Sequence, residues 1–333
     1  MTVKELNTTI YFSLSNNYIQ TETANRYSFF YDFIQKEFTR FLNLLNELNE
    51  DELKLIAKDN DIFYESSLTR RRFKNLMKFI TDKLLEILQY CYKGDFWYAG
   101  FLLQTLMGEN NKKMKRYLIE PYIEYFEYKL VLNRIWYRMR DEYANREVND
   151  CWHLPYNLRH FVNAGRYSMQ GFPCLYLADS LETANAELRE LELGKNRWYS
   201  EFKLKEKHKK LFLLDLSIPN FNIEILDKVS LDLIITYPVR LLCSVKTSHE
   251  GNYFHEEYYI PQLMCQLLMA SKIGKLSAYT HKGILFSSTA NKGGLNCVLP
   301  AIYKNNIPPK EGHSNILNDL FEASKPIIFK RIL

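Results

Sequence analysis

Arg166, Tyr176 and Glu187, spaced by ten and eleven residues, are the side chains whose types and placement could do chemistry. A guanidinium grips anionic oxygens in a two-pronged fork. An isolated carboxylate stabilises positive charge that develops in a transition state. A tyrosine offers a ring to stack on and a hydroxyl to bond. The elements that must carry them read locally. Gly165 and Gly171 bracket Arg166, Tyr167 and Ser168 in a loop. Cys174–Ala178 reads as a short strand, with Tyr176 on the face of Cys174 and Ala178. Asp179-Ser180-Leu181-Glu182 reads as a capping box with the Glu at N3, opening a helix that runs to Gly194. Leu181, Ala184, Leu188 and Leu191 form its apolar stripe. At roughly 100° per residue, Glu187 lies about 40° beyond the edge of that stripe. Loop, strand and helix meet at a corner, which makes the three side chains a candidate site.

The whole chain bounds what such a site can belong to. Its 333 residues predict two domains, or one large domain with an extension, and 47% hydrophobic residues suffice for a substantial core. Twenty-four Tyr and 21 Phe against 12 Gly indicate a heavily aromatic core. A net charge of +5 is small for this length, so neither nucleic acid nor a membrane surface is expected as a partner. Arg70–Arg72 and Lys205–Lys210 are basic clusters that read as solvated faces. The six cysteines form no CxxC pair and no metal-like group with the seven histidines, so no metal is expected and the thiols read as buried and reduced. His153 and His160 read as structural. There is no signal-like N-terminus and no apolar run of roughly 18 residues, which gives a soluble cytoplasmic protein as the expectation.

Along the chain, Thr9–Leu14 reads as a short strand, and helical spacing then runs from Tyr27 to Leu48, from Arg70 to Cys91 with Gly94 as its stop, and from Asp95 to Met107. A fourth helix is expected at about Met114–Leu132, kinked at Pro121. Ile135–Arg140 reads as a strand. Trp198–Leu204 and Leu211–Leu216 read as the strands of a hairpin. Asn222–Thr236 is expected to be partly helical ahead of Pro238, and Glu256–Ala270 helical with Pro261 near its start. Gly283–Ser288 and Ile327–Phe329 complete the strands. The pattern predicts an α+β protein, with an N-terminal helical region over residues 1–132 and a mixed sheet over 133–333. GxGxxG, GxxxxGK[ST], HExxH, GxSxG and the kinase signatures are absent. Lys292-Gly293-Gly294 reads as a plain turn.

Gly165-Arg166-Tyr167, Gly171-Phe172-Pro173, Leu175-Tyr176-Leu177-Ala178 and a Glu eleven positions after the Tyr resemble the RES-domain family over about residues 133–330. That family is named for its Arg, Glu and Ser, and is known mostly as toxins of bacterial toxin–antitoxin pairs. His153–Arg159 and Tyr259–Gln262 resemble a Bacteroidetes-type branch of it. The resemblance implies an ADP-ribosyltransferase-like domain with NAD⁺ as substrate. It assigns Arg138, in the strand pair Tyr137-Arg138, to the NAD⁺ phosphates, and Arg166, Tyr176 and Glu187 to the second Arg, the Tyr and the Glu. It places the Ser at Ser288, with Ser287 as the alternative, in a segment followed by Asn296. Where the family has Trp-Asn-Pro after the second Arg, this chain has Tyr167-Ser168-Met169, so Tyr167 is the residue expected beside the ligand there. The helical residues 1–132 have no counterpart in the short toxins.

The implied chemistry suits these residue types. Nicotinamide leaves NAD⁺ as a neutral molecule, through an oxocarbenium-like transition state that Glu187 would stabilise. Arg138 and Arg166 would hold the pyrophosphate. Tyr176 would stack on or bond the nicotinamide riboside, and Ser288 would contact it through its hydroxyl. NAD⁺ glycohydrolysis, in a toxin or defence effector, is the expected activity. ADP-ribosyl transfer to an acceptor, and a non-catalytic protein that binds nucleic acid or a partner, are the alternatives. An antitoxin or regulatory protein is the expected partner.

Overall fold

In a computed structural model, residues 1–15, 29–59, 69–108, 118, 122–126, 128–131, 134–141, 147–188, 196–205, 211–218, 231–247, 255–270, 282–303 and 309–329 are described. The chain forms two compact units, one of residues 1–127 with 218–278, the other of 128–217 with 279–333. Residues 218–278 thus group with the N-terminal helices, although they follow the sheet-forming sequence that begins near 133.

The helical unit contains α1 (Val3–Ser15), α2 (Phe29–Leu44), α3 (Glu50–Asp59), α4 (Arg70–Tyr92), α5 (Phe96–Met107), α7 (Asp232–Ser244) and α8 (Tyr259–Ala270). Helix α4 follows its apolar spacing, burying Phe73, Leu76, Met77, Ile80, Leu84, Ile87, Leu88 and Cys91. The Thr69 hydroxyl accepts from the Arg72 N–H at its start, and Gly94 adopts φ +76° just beyond its end. Asp95 caps α5 by accepting from the Tyr98 N–H. Three expectations are corrected. Thr9–Leu14 lies in α1, whose buried Val3, Leu6, Ile10 and Leu14 keep helical spacing. The stretch read as a fourth helix holds a 3-10 turn at Tyr122–Tyr125 and a strand, β1 (Tyr128–Val131); its residues 114–117, 119–121, 127 and 132 lie outside the described residues. Pro238 sits inside α7 rather than after it. That helix is buried from Leu233 to Ser244, so packing on all sides outweighs the lost backbone hydrogen bond.

The second unit is built on one sheet, with nine strands among the described residues. After β1 come β2 (Trp136–Asp141), β3 (Cys174–Ala178), β4 (Arg197–Leu204), β5 (Leu211–Asp215), β6 (Lys282–Ser287), β7 (Leu295–Pro300), β8 (Phe321–Ala323) and β9 (Ile327–Phe329). The order is β1-β5-β6-β7-β3-β2-β4-β8, with β9 also paired to β4. Only β5 and β6 pair in parallel; the other described pairs are antiparallel. The hairpin expected between β4 and β5 does not form. The β4 strand pairs with β2, β8 and β9, while β5 pairs with β1 and β6. Both strands send side chains into one core, Phe202 from β4 and Leu211 and Leu213 from β5, so apolar pattern alone could not tell neighbours from distant strands. The basic connection 206–210 and residues 222–230 lie outside the described residues.

Register decides which side chains share a face. Tyr137 pairs with Ala178, Ala178 with Asn296, and Asn296 with Phe286. By alternation Tyr176 joins them. The opposite face carries Trp136, Leu175, Leu177, Phe202, Leu285, Cys297 and Leu299, all buried in the main core. Strands β2 and β3 meet at one register pair only, Tyr137 with Ala178.

Candidate active site

The helix after β3, α6 (Leu181–Ala186), is shorter than its apolar stripe suggests and is capped differently. Ser180, not Asp179, is the N-cap, and its hydroxyl accepts from the Thr183 N–H at 3.1 Å. The capping box with Glu182 therefore does not form, and Glu182 is exposed. Thr183 takes the third position instead. Fully buried, it donates from Oγ1 to Asp179 Oδ1 at 2.9 Å and accepts from Asn291 Nδ2 at 2.9 Å. At the other end, the buried Arg197 donates through Nη1 to the Asn185 carbonyl and side chain, while its Nε holds Asp141 at 2.9 Å. A cation on the last carbonyls ends the helix at Ala186. The extension to Gly194, Leu191 included, lies outside the described residues.

Glu187 is consequently the C-cap of α6, at φ −73° and ψ −13°, rather than a mid-helix residue. Its Oε1 accepts from Ser288 Oγ and from Asn296 Nδ2, each at 2.6 Å. The residue as a whole is exposed. Ser288 directly follows β6 and caps the β6–β7 turn. Its Oγ accepts from the N–H groups of Ala290 and Asn291 at 3.1 and 2.9 Å, and its own N–H donates to the Gly294 carbonyl at 2.8 Å. With both acceptances used, the one hydroxyl proton goes to Glu187. Of the two candidate serines, Ser288 is the one joined to Glu187. Lys292-Gly293-Gly294 forms the hairpin turn, as read from sequence. Gly294 is needed there, since a Cβ would fall 2.4 Å from Thr183 Oγ1.

Arg166 and Tyr167 occupy the two corners of a turn closed by Gly165 and Ser168, whose N–H groups donate to each other's carbonyls at 2.9 and 3.3 Å. The Tyr176 hydroxyl braces this turn from β3. It accepts from the Tyr167 N–H at 3.2 Å and donates to Ser168 Oγ at 3.1 Å. Arg166 is half-buried. Tyr167 is 1% exposed, with its ring 4.7 Å from that of Phe286, so its side chain fills core. Phe286 is the register partner of Asn296. The braced turn, Phe286, Asn296 and Glu187 therefore follow one another along one face.

Arg138 stands apart. Paired across the ladder with Ser200, it leaves β2 on the face opposite Tyr137. Its Nη1 donates to the Tyr176 carbonyl at 2.8 Å, bridging β2 and β3 beyond their single register pair. Its Nε is enclosed without a hydrogen-bond partner. Burial, with Arg140 nearby, holds its pKa well below the usual guanidinium value. His153 is structural, as expected. It bonds the Leu154 carbonyl through Nδ1 and accepts from the Ser314 N–H through Nε2, and burial pulls its pKa down to about 4.

The structure thus joins Glu187 to Ser288, and Tyr176 to the Arg166 turn, on one face, and ties Arg138 to that assembly through the Tyr176 backbone. Asn296 and Thr183 received no role from sequence. Asn296 occupies an inward strand position where a polar residue needs a partner, which was a usable signal; Thr183 looked like any polar helix residue.

A helix-flanked mixed sheet carrying an Arg-bearing turn, a strand Tyr and a Glu–Ser pair defines the class. Residues 135–307, slightly more than half of the chain, match the RES domain, and the chain belongs to the RES-domain family. All the residues above that bear on the site lie inside that span. The chain is also similar to "Putative toxin YopC" of Bacillus subtilis (strain 168), at 27% identity over 217 residues, 58% of this chain and 46% of that protein. The match thus spans about half the length of that relative. No solved structure matches the chain. Among the described residues, no helix is long and apolar enough to cross a membrane.

Proposed function

We propose that this chain is a toxin-like enzyme that cleaves the nicotinamide–ribose bond of NAD⁺ with water as acceptor. The observation that carries the reading is the state of Glu187. One carboxylate oxygen is held by two short hydrogen bonds, while Oε2 has no partner among the described residues. A carboxylate so held, on an exposed residue, suits the oxocarbenium-like ribose that forms as nicotinamide leaves. Water then adds to the ribose carbon, its proton is released, and ADP-ribose results.

Arg166, on its braced turn, would grip the pyrophosphate as a rigid fork. Arg138, enclosed on the opposite face, would act through Nη1, which holds the strand that bears Tyr176. Tyr176 would line the riboside site, its hydroxyl engaged in holding the turn. The name of the Bacillus relative supports a toxin's role, with a protein antitoxin as the partner and the cytoplasm as the place of action.

The test is incubation of the purified chain with NAD⁺, following nicotinamide and ADP-ribose together. Equal release of both supports glycohydrolysis. Nicotinamide in excess of ADP-ribose supports transfer to another acceptor, and no release by the wild type refutes both.

A further inference from the structure

We infer that Asn296 aims Glu187, its side-chain amide acting with the Ser288 hydroxyl to tie down one carboxylate oxygen so that the other is presented to substrate. The inference rests on the reading of Glu187 as the working carboxylate. Asn296 Nδ2 and Ser288 Oγ both donate to Glu187 Oε1, each at 2.6 Å. Ser288 Oγ already accepts from two backbone N–H groups, so its only proton points at Glu187. Asn296 is 5% exposed on β7, between Ala178 of β3 and Phe286 of β6, and a buried carboxamide needs its partner.

The chemistry of the donors is informative. A Lys or Arg on Oε1 would bind more strongly, but its charge would offset the negative charge that an oxocarbenium ion needs. An amide and a hydroxyl orient the carboxylate while leaving its charge intact. Orientation is needed here because Glu187 lies at the C-cap of α6 on an exposed residue, where its own backbone does little to fix a long side chain. The two donors sit on the paired strand β7 and at the end of its neighbour β6, which are stiffer supports than a helix end. Asn296 is accordingly a positioning residue, acting through Glu187.

Asn296→Leu keeps the shape of the side chain and removes the donor. Nicotinamide release should fall about 10- to 100-fold in kcat, the scale of a misplaced catalytic group, with the KM for NAD⁺ within about twofold of wild type. In a Glu187→Gln background the same change should cost nothing further. A loss confined to KM, or one that persists undiminished beside Glu187→Gln, overturns the inference. The contact is also read without turnover, from the Asn296 side-chain amide by ¹⁵N–¹H NMR of the wild type. One amide proton should be shifted downfield and exchange slowly, and Glu187→Ala should return it to the ordinary amide range. A fast-exchanging amide that ignores Glu187→Ala overturns the clamp whatever the activity. A protected amide in a wild type that releases no nicotinamide upholds the clamp and sinks the glycohydrolase reading instead. Should Asn296→Leu fail to fold, the wild-type amide signal and Asn296→Ser carry the test.

Discussion

Gly294→Ala loads the network beneath the site more directly than any other single methyl. Its Cβ would fall 2.4 Å from Thr183 Oγ1, 2.9 Å from Thr183 Cγ2 and 3.0 Å from Asn291 Nδ2. Unstrained contact needs about 3.5 Å, so one side must yield by about 1 Å. Thr183 is poorly able to yield, being fully buried, β-branched and bonded to Asp179 and Asn291. The turn must therefore move, and it carries Ser288, whose N–H is bonded to the Gly294 carbonyl. Overpacking costs about 1–3 kcal/mol, and loss of the Asn291–Thr183 hydrogen bond adds about 1 kcal/mol. A destabilisation of about 2–4 kcal/mol lowers Tm by roughly 4–15 °C in a chain of this size. Displacing Ser288 releases Glu187, so nicotinamide release should fall about 100-fold. Gly293→Ala is the matched control. Its φ of +85° costs backbone strain of about 1–2 kcal/mol, but nothing lies within 4 Å of the new Cβ, so turnover should stay near wild type. Scanning fluorimetry and a nicotinamide assay on the two variants decide the matter. Unchanged Tm and turnover in Gly294→Ala would refute the claim that the Thr183 contact sets the turn.

Gly165→Ala places a Cβ 2.7 Å from Ser168 Oγ and 2.9 Å from the Tyr176 hydroxyl, both side-chain ends that can swing aside. The turn should survive with about 1–2 kcal/mol lost, while Arg166 loses its brace and the KM for NAD⁺ rises about tenfold; Tyr176→Phe should reproduce most of that rise. His153 predicts a pH effect on stability. Its folded pKa is pushed down to about 4 by burial, so the unfolded chain binds the extra proton first. The contribution of neutral His153 is whole above the ordinary histidine pKa of about 6.5 and is lost as pH falls from there towards 4. His313, also lowered by burial, adds in the same direction. Urea midpoints between pH 8 and pH 4.5 should fall, and His153→Gln should flatten the slope; a midpoint that does not move with pH contradicts the assignment.

Much of the fold was legible because the local signals agreed. In α4, apolar spacing and the stop at Gly94 gave one answer, and it is the observed one. The errors arose where tertiary context decided between local possibilities. Val3, Leu6, Ile10 and Leu14 carry helical spacing, but Thr9–Leu14 alone reads equally well as a strand. Pro238 would end a solvent-facing helix and does not end α7, which is buried from Leu233 onward. At the site, spacing singled out Glu187 as a candidate but could not place it at a helix end, because Arg197, which meets the Asn185 carbonyl, comes from β4. Nor could it show that the Ser288 proton belongs to Glu187, or that Arg138 leaves β2 on the opposite face. Those facts depend on strand register, which no local pattern records.

Nicotinamide release from NAD⁺ by wild type and by Glu187→Gln tests most directly the proposal that the Glu187 carboxylate assists cleavage of the nicotinamide–ribose bond. The substitution keeps the shape and one acceptor oxygen for Ser288 and Asn296 while removing the charge. Equimolar nicotinamide and ADP-ribose are expected from the wild type, with a rate about 100- to 1000-fold lower from a folded Glu187→Gln. Release by Glu187→Gln at the wild-type rate, or none from the wild type, would contradict the proposal.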